Sequence, residues 1–90
     1  MKITYDPIKS EKNARDRALP FDLAAELEWA TALIDEDTRK PYPERRYQAI
    51  GFLEKRLHVV VFTPASGGIR VISFRKANNR ERKRYEISQP

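Results

Sequence analysis

The sequence predicts an α+β fold: a small antiparallel β-sheet, two N-terminal helices packed on one side of it, and a short basic helix at the C-terminal end. Three observations carry this reading. Helix-start signals and helical spacing dominate residues 6–28, strand-like runs separated by short turns fill residues 46–75, and Asn78-x-x-Glu81 opens a last helix. No repeat interrupts residues 1–90, and no linker is long enough to mark a domain boundary, so one domain is expected.

Lys2 to Tyr5 alternates polar and apolar residues, as a short strand does. Asp6-Pro7 then starts a helix: the carboxylate can accept from free N–H groups of the first turn, and proline suits the first helical position. That helix is expected to reach Arg17, with Ile8 and Ala14 as its few buried candidates, and to break at Leu19-Pro20. A second helix is expected over 20–28, with Phe21, Leu23, Ala24 and Leu27 on its apolar face. Strands follow over 30–35, 46–53, 57–63 and 69–75, the middle two forming a hairpin through Glu54-Lys55-Arg56. Pro64 to Gly68 makes the next turn. Residues 57–62 are apolar at both parities, which marks a central strand.

Composition bounds the chemistry. Ninety residues, 40% hydrophobic and 34% charged, describe a globular domain near the low end of what buries an adequate core. With no cysteine and the single His58, a disulfide framework and an ordinary zinc site are excluded, and no cofactor is expected. The N-terminus lacks the apolar stretch of a signal peptide and no apolar run could span a bilayer, so a cytoplasmic protein is expected. Residues 1–69 hold 11 Lys/Arg and 11 Asp/Glu, which cancel; residues 70–90 hold 7 Lys/Arg against Glu81 and Glu86. The whole formal net charge of +5 therefore sits in the last 21 residues. A field of that sign and density attracts polyanions, RNA first among them.

The blocks Tyr5-Asp6-Pro7-x-Lys9-x-x-x-Asn13, Leu19-Pro20-Phe21, Arg46-Tyr47-Gln48-Ala49-Ile50-Gly51, Val59-Val60-Val61-Phe62-Thr63, Arg70-Val71-Ile72-Ser73-Phe74-Arg75-Lys76-Ala77 and Glu81-Arg82-x-x-Tyr85 resemble, in order and spacing, the BrnT family. The resemblance implies a RelE-like fold and a ribonuclease toxin of a type II toxin–antitoxin pair that cleaves RNA and arrests growth. It also implies a BrnA-type antitoxin whose ribbon-helix-helix domain binds the operon's promoter, so that promoter DNA is met only through the complex. The chain departs from the family at one place. Many members end the first helix with Lys-His-Gly, where this sequence has Asp16-Arg17-Ala18. Arg17 can hold a phosphate but is a poor base.

RNA cleavage by 2′-hydroxyl attack needs proton removal, stabilisation of the phosphorane charge and protonation of the leaving oxygen. Arginine suits the second task, since its planar fork matches phosphate oxygens. Arg46 and Arg75 lie on expected strands within the family blocks, have no evident acidic neighbour to pair with, and are the expected catalytic residues. Lys9, Arg17, Arg70, Lys76 and Arg80 are expected to contact RNA, and the terminal helix, nearly without an apolar stripe, to serve charge rather than packing. Glu44, Glu54 and Tyr47 are possible bases. His58, inside an apolar strand, reads as a core residue. Asp35-Glu36-Asp37 alternates faces and converges poorly on a metal, so the nuclease is expected to work without one. The alternatives are a non-catalytic nucleic-acid-binding module of the same fold and a domain that only docks an antitoxin.

Overall fold

The computed structural model describes all of residues 1–90. Strand β1 spans Lys2–Thr4, helix α1 Pro7–Arg17, β2 Leu33–Glu36, β3 Tyr47–Leu53, β4 Arg56–Ala65, β5 Gly68–Lys76 and helix α2 Asn79–Ser88. The strands form one five-stranded sheet in the order β1-β5-β4-β3-β2. Most of the predicted elements exist within a residue or two of their expected bounds. The expected strand over 30–35 begins only at Leu33, because Trp29–Thr31 form a 3-10 turn.

The sheet is mixed rather than antiparallel. β1 pairs in parallel with β5, Lys2 opposite Gly68 and Thr4 opposite Arg70, while the other pairs are antiparallel. A parallel pair needs a long connection, and here nearly the whole chain supplies it. Gly68 sits where any Cβ would run into the Lys2 backbone, so glycine permits the pairing.

The helices do not share one side. Val60, Phe62, Val71 and Phe74 pack beneath Leu19, Phe21, Ala24 and Leu27, whereas Ile50, Leu57, Val59 and Val61 pack beneath Tyr85 of α2 on the opposite face. The reason was present in β4 itself: a strand apolar at both parities needs cover on both faces. α2 is therefore a packing element as well as a charged one, with buried Tyr85 meeting Phe52 edge-on at 5.5 Å between centroids.

The expected second helix is instead a 3-10 segment, Phe21–Glu26. Three residues per turn bring positions i and i+3 into line, which puts Phe21, Ala24 and Leu27 on one buried stripe and leaves Leu23 only partly covered. Helix α1 starts as expected, with Asp6 accepting from the Ile8 N–H at 3.0 Å and Pro7 in the first turn. Its buried residue is Ser10, however, whose Oγ accepts the Phe21 N–H at 2.8 Å; Ile8 is 77% exposed and Ala14 half-buried. α1 does little core packing and reaches the sheet edge through one side chain. β1 covers β5 only as far as Arg70, and beyond it Asn13 Nδ2 donates to the carbonyls of Phe74 (2.9 Å) and Leu19 (2.7 Å). One carbonyl of the otherwise open strand edge is thereby satisfied. The helix ends on Ala18 at φ 57°, a left-handed position that favours glycine.

Candidate nucleic-acid interface

The sequence-predicted site residues fall into separate groups. Arg75 points from β5 to the α2 face of the sheet, into a cleft of about 380 Å³ lined by no hydrophobic residue. Arg80 lines the same cleft, joined by Arg39, Arg84 and Gln48. Lys76, the next residue on β5, lies on the opposite face, where it shares a depression of about 430 Å³ with Arg17 and Arg15. Lys9 and Arg17 border a neighbouring depression along α1. Arg70 is exposed near the start of β5, opposite Thr63, and joins neither group. Arg46 stands one residue before β3, in a second cleft of about 280 Å³ that shares Glu36, Asp37 and Thr38 with the first. The two expected catalytic arginines thus occupy adjoining clefts with a common wall.

Both arginines have acidic partners, contrary to expectation. Arg46 Nε donates to Glu44 Oε1 at 3.0 Å, and its guanidinium lies 4.2 Å from the Tyr42 ring centroid. Arg75 Nη1 and Nη2 donate to the two oxygens of Glu81, each at 2.8 Å. The Glu81 carboxylate also accepts from the Asn78 N–H at 2.9 Å, while Asn78 Oδ1 accepts from the Glu81 N–H. This is the expected capping box, and it does a second job. One carboxylate, 7% exposed, holds the N-terminus of α2 and the fork of Arg75 together. The Arg75 guanidinium keeps Glu81 below the usual carboxylate range, and Glu81 in turn raises Arg75. The two pairings differ in how local they are: Glu44 is two residues from Arg46, whereas Glu81 reaches Arg75 only because the chain turns at Ala77-Asn78.

The same pattern recurs across the cleft. Asp37, its side chain 3% exposed, binds Arg39 through Nε and Nη2, each at 2.8 Å, and is held down to about 2 chiefly by that bond. Arg84 reaches Asp35 across the sheet at 2.6 Å. Four arginines therefore face Asp35, Glu36, Asp37 and Glu81, and the formal charge of the cleft is zero. What it offers is direction rather than field. Glu81 and the Lys76 carbonyl take three donors of Arg75 and leave its Nε–H and a second Nη2–H; Asp37 occupies the side-on edge of Arg39 and leaves its two Nη1 hydrogens and a second Nη2–H. Arg39 and Arg84 were missed as site residues. The i, i+4 spacing of Arg80 and Arg84, which puts them on one helix flank, was a legible signal for the second.

His58 is a core residue, as read from the sequence. It is 5% exposed, donates from Nδ1 to the Arg56 carbonyl at 2.8 Å and packs edge-on against Phe74. Burial pushes its pKa below 6.5. The unfolded chain therefore takes up a proton first, and stability present above about pH 6.5 is lost as pH falls below it. Urea unfolding of the wild type between pH 7.5 and 5.5 should reveal this loss, and His58→Leu should remove it without reducing RNA cleavage. Complete loss of cleavage in folded His58→Leu protein would instead put the imidazole in the site.

Compared with known families, residues 5–81 match the ribonuclease toxins, BrnT, of type II toxin–antitoxin systems. The chain belongs to the BrnT family. No curated protein and no solved structure matches it. The family resemblance of the sequence blocks holds over most of the chain, and with it the class of this BrnT protein: a ribonuclease toxin of a two-component system that includes an antitoxin. No helix of this BrnT chain is long and apolar enough to cross a membrane.

Proposed function

We propose that this BrnT protein is a metal-independent endoribonuclease, acting in the cytoplasm as one RelE-like domain of residues 1–90 and cutting RNA by 2′-hydroxyl attack. The observation that carries the reading is the Arg75 fork, held by Glu81 and presented to a polar cleft between arginines. Donors already oriented before the reaction stabilise developing phosphorane charge without further reorganisation. Arg75 takes that role, and Arg46, in the adjoining cleft, acts on the same strand of RNA beside it. Arg80 holds a flanking phosphate, and Lys9, Arg17, Arg70 and Lys76 gather the polyanion from outside. Metal independence is supported by the carboxylates themselves: Asp35, Asp37 and Glu81 are each tied to an arginine. Glu36, the carboxylate of the cleft without a cation partner, is available to accept the proton. In this reading the neutralising partner is a BrnA-type ribbon-helix-helix antitoxin, and promoter DNA is bound only by the complex.

The test is cleavage of a long RNA by the purified chain with and without EDTA. Equal rates and 2′,3′-cyclic phosphate ends are expected. Activity lost in EDTA and regained with magnesium would remove the metal-independent mechanism. No cleavage by folded protein at any magnesium concentration would favour the non-catalytic module.

A further inference from the structure

Helix α2 has two charged flanks, and only one overlooks the cleft. At 3.6 residues per turn, Glu81 and Tyr85 share the buried face, Arg80 and Arg84 fall to one side, and Arg82 and Glu86 fall to the other. The second side closes a pocket of about 340 Å³ against the β3–β4 hairpin, where Arg82 meets Lys55, Arg56 and the half-buried ring of Phe52.

We propose that this pocket is a base-stacking subsite for single-stranded RNA, with one base on Phe52 and its flanking phosphates on Lys55, Arg56 and Arg82. The proposal rests on the ribonuclease reading and adds to it a contact outside the cleft. Ion pairing decides in its favour. Three of the four arginines of the cleft, Arg39, Arg75 and Arg84, each hold a carboxylate and only Arg80 does not, whereas Lys55, Arg56 and Arg82 all form no ion pair. With Glu86 the only acid on its lining, the pocket carries a formal +2 while the cleft carries zero. Solvated surface lysines and arginines need not surround anything. Here three unpaired cations from two elements far apart in sequence line one pocket with an aromatic ring. That ring is fixed by its edge-on contact with buried Tyr85, at 88° between planes. An aromatic platform with cations around it is what successive bases and phosphates of a single strand require. An acidic peptide would use the cations and make no use of the half-exposed part of the ring.

A fluorescent ten-nucleotide oligoadenylate, 2′-O-methylated so that 2′-hydroxyl attack cannot cut it, tests the subsite beside an abasic version with the same backbone. Phe52→Leu should weaken oligoadenylate binding on the order of tenfold, the size of one lost stacking contact, and leave abasic binding unchanged. Phe52→Trp should restore it. Arg82→Gln, on the exposed helix surface, should flatten the log–log salt dependence by about 0.7, which keeps the test open if the Phe52 variant folds poorly. Equal weakening of both probes by Phe52→Leu, or no change in either variant, would overturn the subsite. So would variants that keep RNA affinity but no longer bind polyglutamate, since the pocket would then be a protein-docking surface. Cleavage of long RNA by the same wild-type preparation separates the two readings. If it cleaves while the variants bind oligoadenylate normally, the subsite falls alone; if it neither cleaves nor binds, the ribonuclease reading falls with it.

Discussion

Purified Arg75→Ala protein is expected to cleave RNA about 10²–10³-fold more slowly than the wild type, the usual loss when an oriented donor to developing charge is removed. The Arg75 side chain is 29% exposed; it lines the cleft while its guanidinium is bound to Glu81. Removing it also strands a buried carboxylate, so some stability will go as well, on the order of 2–3 kcal/mol for a charged hydrogen-bonded pair. Arg75→Lys separates the two effects. The ammonium keeps a charge for Glu81 but presents no planar fork, so the melting temperature should recover further than the cleavage rate. Glu81→Gln should act in the same sense on activity, because Arg75 would keep its charge and lose its fixed orientation. Arg82→Ala and Lys83→Ala, on exposed positions of α2, should cost far less. Full cleavage by folded Arg75→Ala and Arg75→Lys would take Arg75 out of the chemistry.

Phe74→Ala is expected to produce the largest loss of stability of any single truncation in the sheet, about 3–5 kcal/mol. Phe74 is 1% exposed and is among the largest fully buried side chains. It lies on β5 opposite Val60, packs against His58, and its carbonyl takes the Asn13 bond that holds α1 to the sheet edge. A domain of 90 residues has roughly 5–13 kcal/mol in total, and each kcal/mol moves Tm by about 4–8 °C at this size. A fall of about 12 °C or more, followed by circular dichroism, is the expected result. A loss below about 1 kcal/mol would mean that the face beneath the 3-10 segment can collapse around the void.

Local signals carried far in this chain because each operates within a few residues. Asp6-Pro7 and Asn78-x-x-Glu81 locate helix starts through a bond from an N–H two or three residues on, and the structure has both. Strand-like runs separated by short turns located β3, β4 and β5, and the two-sided apolar pattern of β4 identified the central strand. That pattern also contained the correction to the helix arrangement, since Val59 and Val61 could not be left facing water. The Phe21-Ala24-Leu27 spacing was ambiguous in principle: a period of three suits a 3-10 segment as well as a short stretch of helical face.

By itself, then, the sequence determined the class of fold, the order of its elements, the burial of His58 and the family, since each follows from local pattern or from motifs in register. Only the tertiary structure decided which charges meet. Arg75 and Lys76 are neighbours in sequence but leave β5 on opposite faces, whereas Arg84 and Asp35 are 49 residues apart and hydrogen-bonded. Net charge is a sum over the chain, and it located a basic C-terminal stretch. Pairing depends on distance through space, and it turned that stretch into a neutral cleft of oriented arginines on one flank of α2 and an unpaired cationic pocket on the other.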